Sequence, residues 1–187
     1  MATIEDVEVI YEGWGRFLQV RLRMEDGAIV RQQVDDHGDG VAVLPYDPVR
    51  RMVTLVRQHR PGALYAGHGR MILEIPAGRL DSGEPENWAR QETIEETGIR
   101  VKDLERVGAF WVAPGICTER LHIFLARYTE ADKVSAGGGL AEENERILVE
   151  EIPISTIVAM ADSGEIDDAK TFTAVQALRL KHPELCA

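Results

Sequence analysis

At 187 residues, 44% of them hydrophobic, the chain has the material for one domain with a real core, with or without a small extension. A net charge of −11 argues against a surface that coats nucleic acid, which would show basic patches, but it leaves room for a small phosphorylated substrate held by local arginines and metal ions. The first residues, MATIEDVEVIYEG, lack a basic start followed by an apolar block, and no stretch is apolar for long enough to span a membrane, so a cytoplasmic protein without membrane contact is expected.

From Val7 to Arg60 short β-branched or alternating runs are broken by turn signals at Gly13 to Gly15, Asp26-Gly27 and His37 to Gly40, which predicts a series of strands. Leu18, Val20, Leu22 and Met24 alternate with polar residues, and Asp26-Gly27 suits the tight turn of a hairpin. VAVLPYD and MVTLVRQHR follow as strands, the second apolar enough to be central. A glycine-rich loop (Pro61 to Gly69) leads to a short strand, MILEIPAG. A helix then runs through WARQETIEET, capped by Glu86 or Asn87 and stopped at Gly98. RVGAFWVAP and LHIFLARYT are strands, and SAGGGLAEENE, with three consecutive glycines, reads as a mobile loop. The strand RILVEEIPI, a short helix STIVAMADSG capped by Ser155 and a C-terminal helix DDAKTFTAVQALRLKH complete the chain. Strands before, between and after helices predict an α/β arrangement, a mixed sheet sandwiched by helices. Cys117 and Cys186 stand far apart without CxxC spacing, so neither a disulfide framework nor a zinc site is indicated.

The most informative stretch is Glu74 to Ile99, EIPAGRLDSGEPENWARQETIEETGI. On a helix, residues three and four apart share a face, so Glu92, Glu95 and Glu96 bring three carboxylates within about one turn. They repel, and a solvated face would more usually interleave lysines. A hard divalent cation removes the repulsion, because Mg²⁺ takes oxygen ligands and keeps positions for water and phosphate.

This segment resembles the Nudix box, G-x5-E-x7-R-E-U-x-E-E-x-G-U, where U is aliphatic. Gly78 is followed after five residues by Glu84, and Glu92, Glu95, Glu96, Gly98 and Ile99 fall in register. The resemblance implies the Nudix fold, an α/β/α sandwich with a mixed sheet. It also implies that Glu92 and Glu96 are the principal ligands of Mg²⁺, with Mn²⁺ as the alternative ion, that Glu95 assists them, and that the carbonyl of Ala77 completes the site. Three departures touch the box. Thr93 stands at an aliphatic position, only six residues (Pro85 to Arg90) follow Glu84, and Gln91 replaces the arginine that pairs with the box's first glutamate. Arg90 is about 100° round the helix and is a poor replacement.

From about Gly40 onward the chain resembles ADP-ribose and GDP-mannose pyrophosphatases, through LVRQHR (55–60), EIPAG (74–78), FWVAPGICTE (110–119), GLAEENERILVEEIP (139–153) and GEIDDAKT (164–171). Pro114, sixteen residues beyond Gly98, matches a proline associated with ADP-ribose specificity. The resemblance implies hydrolysis of the pyrophosphate of a nucleoside diphosphate sugar, ADP-ribose first, with GDP-mannose or another nucleotide sugar as the alternative. A weakly catalytic nucleotide-sugar-binding module is a rival of another class. It implies that Glu143, or Glu145 after it, is the base on the glycine-rich loop. Arg57, Arg60, Arg70 and Glu74 are candidates for the substrate side, where guanidinium groups suit phosphate oxygens. Phe110 and Trp111 suit either stacking on a base or the core. It further implies a homodimer built with an N-terminal β-strand extension, residues 1–40, ahead of a hydrolase domain, residues 41–187.

Overall fold

The computed structural model describes residues 1–140 and 146–186. The first three strands, β1 (Thr3–Glu12), β2 (Arg16–Arg23) and β3 (Ile29–Asp36), form an antiparallel sheet of their own in that order. The expected hairpin is there: Gly27, at φ +85°, turns the chain, and the Asp26 carboxylate accepts the Ala28 N–H at 3.0 Å. Only Leu18 and Val20 of the alternating apolar set are buried, and β1 is exposed along its whole length.

The remaining strands make a seven-stranded mixed sheet. They are β4 (Gly40–Asp47), β5 (Met52–Gln58), β6 (Ile72–Glu74), β7 (Ala77–Arg79), β8 (Glu105–Trp111), β9 (Arg120–Arg127) and β10 (Leu148–Pro153). The order is β10-β5-β4-β9-β8, with β6 paired to β5 and β7 to β4, and β4 runs parallel to β9. MILEIPAG is thus two strands rather than one. Pro76 has no N–H to give to a ladder, and at this point the chain leaves β5 and crosses to β4.

Strand alternation sends β4 into two cores. Ala42, Leu44 and Tyr46 pack with α3 (Ile154–Ser163) and α4 (Ala169–Lys181), whereas Val41 and Val43 join Ala89 of α2 (Pro85–Thr97) and Ile99. The α/β/α sandwich follows. Two short helices, α1 (Pro61–Tyr65) and α5 (Pro183–Cys186), lie where the sequence suggested loop and tail.

Helix starts differ from expectation by a few residues. Pro85 takes the first position of α2, where its fixed φ and missing N–H cost nothing, so Glu84 rather than Glu86 or Asn87 is the N-cap. Pro153, not Ser155, precedes α3, while Asp168 caps α4 by accepting the Thr171 N–H at 2.9 Å. Gly98 ends α2 at φ +73° as expected.

Candidate active site

Helix α2 lies across β4 and β7 and presents its glutamates to the Ala77–Gly78 strand. Glu96 is 2% exposed, and its Oε2 accepts the Ala77 N–H at 3.2 Å. The Glu92 carboxylate lies directly against Gly78, so close that a Cβ there would fall within the carboxyl group. Glycine at this position leaves room for that carboxylate. Glu95, four residues beyond Gln91, accepts the Gln91 amide N–H at 3.0 Å. Thr93 is fully buried where the box expects an aliphatic residue, and its hydroxyl is satisfied by the Ala89 carbonyl at 2.6 Å. Arg90 donates to the carbonyls of Lys102 and Glu86, which ties the helix to the following loop and keeps it away from the glutamate face.

Among the described residues no three carboxylate, imidazole or thiol side chains already converge on one point. The groups beside Ala77 and Gly78 are nevertheless hard oxygen donors, the carboxylates of Glu92 and Glu96, while Glu95 is held by Gln91 on the same helix. That donor chemistry fits Mg²⁺ or Mn²⁺ and disfavours soft ions.

A cavity of about 840 Å³ opens beside this strand, with Ala77 and Gly78 in its wall. Its cationic part is Arg60, Lys170 and Arg79, and its aromatic part is Trp14, Phe110 and Trp111. Trp14, 73% exposed, comes from the turn between β1 and β2. The Arg79 guanidinium stacks on its ring at 5.3 Å, and Arg120 stacks on Trp111 at 5.4 Å. Beneath Arg60 and Lys170 lies Glu74, 1% exposed. It receives Nε and Nη2 of Arg60, the latter at 2.7 Å, and Nζ of Lys170, which also bonds Asp168 at 2.9 Å. Burial pushes the Glu74 carboxyl up, but the two cations outweigh it and hold the group below the usual carboxylate range. Burial works the other way on Arg60, and Glu74 again prevails, raising its affinity for the proton.

A NUDIX domain profile matches residues 36–184, from the last residue of β3 to the C-terminal helix. The chain belongs to the NUDIX family. It is 41% identical over 163 residues to a GDP-mannose pyrophosphatase of Cronobacter sakazakii, covering 86% of this chain and 84% of that one. It is 37% identical over 177 residues to a GDP-mannose pyrophosphatase of Klebsiella pneumoniae, covering 92% and 88%. A solved structure described as an ADP compounds hydrolase superposes with a TM-score of 0.77 at 19% identity, over 98% of this chain and 95% of the other, a likeness of fold. The α/β/α sandwich is therefore the Nudix fold, and the chain is a Nudix hydrolase.

Within this Nudix hydrolase the expected site residues divide into groups. Glu96 and Glu92 lie against Ala77 and Gly78, Glu95 is held by Gln91 on the same helix, and Arg60 and Glu74 sit together, Arg60 in the cavity wall. Arg57 lies on β5 and pairs with Glu150 of β10 at 2.6 Å, outside the cavity wall. Arg70 is largely exposed and lies 3.9 Å from Asp167. Pro114 is exposed in the turn between β8 and β9. Phe110 and Trp111 are 43% and 56% exposed, which rules out a core role for both. Glu143 and Glu145 lie outside the described residues, but the glycines before them are docked. Gly138 and Gly139 donate their N–H groups to the carbonyls of Glu96 and Glu95 at 2.8 and 3.1 Å, and the positive φ of Gly137 sits where a Cβ would strike the backbone of α2. That half of the expected mobile loop is bound to α2. Sequence reasoning missed Trp14, Lys170 and Asp168. The segment GEIDDAKT carried the signal for the last two; nothing local marked Trp14.

Proposed function

We propose that the chain hydrolyses the pyrophosphate bond of a nucleoside diphosphate sugar with the help of Mg²⁺ or Mn²⁺. The observation that carries this reading is one cavity wall joining the Ala77–Gly78 strand, against which Glu92 and Glu96 close, to the cations Arg60 and Lys170. A volume of about 840 Å³ suits a ligand of nucleotide-sugar size, and its exposed tryptophans suit a flat base. Glu92, Glu95, Glu96 and the Ala77 carbonyl would hold the ion, which when bound neutralises diphosphate charge and makes water a better nucleophile. Arg60 and Lys170 bind and orient the diphosphate. A carboxylate of the segment after the glycine run, Glu143 first and Glu145 second, takes the proton as water adds to phosphorus and the bridging P–O bond breaks. The products are a nucleoside monophosphate and a sugar phosphate.

GDP-mannose comes before ADP-ribose in this reading, the reverse of the order expected from the sequence, because the relatives at 37–41% identity carry the former in their names. Pro114 supports ADP-ribose as the second candidate. Incubating the protein with each sugar nucleotide and Mg²⁺, then separating the products, tests both. Turnover of neither would overturn the reading, while intact binding without turnover would favour a binding module.

We propose as well a cytoplasmic homodimer built through residues 1–40. Ile4, Val7, Val9, Ile10 and Tyr11 of β1 are all exposed, apolar side chains that a second copy would cover. Among the described residues no helix is long and apolar enough to cross a membrane. Sedimentation of the whole chain against one truncated before Gly40 tests the assembly, and a monomer in both cases sinks it.

A further inference from the structure

Arg60 and Lys170 are each anchored to the same carboxylate and each keep donors in reserve. Arg60 grips Glu74 with one edge of its guanidinium, Nε and Nη2, and its Nη1 has no partner among the described residues. Lys170 gives one N–H to Glu74 and one to Asp168, and an ammonium has three. Both side chains line the cavity. A closed structural ion pair would leave no donors toward a cavity, whereas this one does. Glu74 itself is too buried to meet a ligand.

We propose that Glu74 is a positioning residue that holds Arg60 and Lys170 as a preset cation pair for the diphosphate of the substrate. The inference rests on the nucleotide-sugar reading above. Two cations side by side repel, and long side chains lose rotamer freedom when a ligand fixes them. A buried carboxylate between them offsets the repulsion and fixes both before substrate arrives, so less ordering is left to binding. The same node also sets the strand that carries Ala77. Asp168 accepts the Thr171 hydroxyl at 2.6 Å, and the Thr171 oxygen accepts the Ile75 N–H at 2.8 Å, next to the Pro76 corner. The cation pair and the Ala77 carbonyl are therefore placed by one set of bonds.

Titration calorimetry with GDP, and separately with inorganic pyrophosphate, in the presence of Ca²⁺ tests this without turnover. Glu74→Gln keeps the shape and removes the charge. Freeing two side chains is expected to weaken binding about 5- to 100-fold and to raise KM for the sugar nucleotide alike, with kcat moving less than about threefold. In an Arg60→Ala background the same substitution is expected to do less, because Glu74 then acts through Lys170 alone. Glu74→Asp, one methylene shorter, keeps the charge but reaches only one cation and is expected to bind with intermediate affinity. Wild-type or tighter binding by Glu74→Gln would overturn the proposal, since it would mean that the carboxylate only offsets charge. If that variant fails to fold, wild-type affinity in Glu74→Asp overturns it equally. A wild-type chain that binds neither GDP nor pyrophosphate also overturns it. A wild-type chain that binds GDP but turns over neither sugar nucleotide removes the nucleotide-sugar reading, while the binding measured for the Glu74 variants still decides whether Glu74 presets the two cations.

Discussion

The side-chain amide of Gln91 donates to a Glu95 carboxylate oxygen at 3.0 Å, one turn along the same helix. The box would place an arginine here to reach Glu84, but Glu84 is the N-cap of α2, exposed and seven residues back, so the glutamine supports a different glutamate. A hydrogen bond onto a carboxylate contributes about 1.5–3 kcal/mol where it is sheltered and less at an exposed site such as this one. Gln91→Ala is therefore expected to raise the Mg²⁺ concentration for half-maximal activity by about 2- to 10-fold. In a crystal structure of Gln91→Arg the guanidinium should lie on Glu95; finding it on Glu84 would show that the shortened loop still permits the family's pairing.

Glu96→Gln should separate fold from chemistry. The amide oxygen of glutamine can still accept the Ala77 N–H and the side-chain shape is kept, so the melting temperature should change little. The ligand charge is lost, and turnover should fall on the order of 10²-fold or more. Near-normal turnover at saturating Mg²⁺ would remove Glu96 from the ion's ligands.

Gly78→Ala is the complementary case. The atoms nearest its Cβ are the far end of the Glu92 side chain, so the clash falls on a flexible carboxylate rather than on backbone. The carboxylate then cannot keep its position, and Mg²⁺ dependence should shift to higher concentration while thermal unfolding stays near wild type. Unchanged metal dependence would mean that the place of Glu92 against Gly78 has no bearing on the site.

How much of this was legible in the sequence depends on the range of the forces involved. Alternation along β4 and the 3.6-residue spacing of Glu92, Glu95 and Glu96 are local, and they marked the sheet and the glutamate face. The break at Pro76 and the proline start of α2 were written in single residues but were outweighed by the apolar run and by later cap candidates. Lys170 lay in a marked segment, GEIDDAKT, but its place in the cavity wall depends on the start of α4 folding against β6. Trp14 was out of reach, because it enters the cavity only where the three-stranded sheet meets β7, a tertiary placement that no window of the sequence contains.

Acid should loosen the fold through Glu74. Burial raises its carboxyl, Arg60 and Lys170 lower it further, and the net shift is downward. A depressed folded value means that the unfolded chain binds the proton more readily, so the stabilisation is complete above the unfolded value of about 4.3 and is lost as pH falls through the folded one. The melting temperature should fall as pH drops from about 5 toward about 3, and Glu74→Gln should flatten part of that slope. Glu105, also held low by Lys181 and His182, keeps the slope from vanishing. An identical slope in the variant would mean that Glu74 does not titrate in this window.

The base is the remaining assignment, and the docked glycines make it testable. In the proposed reading the glutamates of α2 hold the ion, so the proton of the attacking water needs a separate carboxylate, and the acids Glu142, Glu143 and Glu145 follow in sequence within a few residues of Gly138 and Gly139, which bond the Glu96 and Glu95 carbonyls. Glu143→Gln is expected to lower kcat about 10²- to 10⁴-fold, with KM and melting temperature nearly unchanged. Glu142→Gln serves as the neighbour control and should do much less. A large loss in Glu145→Gln with a silent Glu143→Gln would keep the base on this segment and move it two residues on. The glycine anchor supplies a second arm. Gly137→Ala forces a Cβ into the backbone of α2 at a positive φ and should displace the segment as a whole, lowering kcat even with all its acids present. Should all three glutamine variants and Gly137→Ala turn over like wild type, the segment takes no part in the chemistry, and the proton must leave by way of the α2 glutamates.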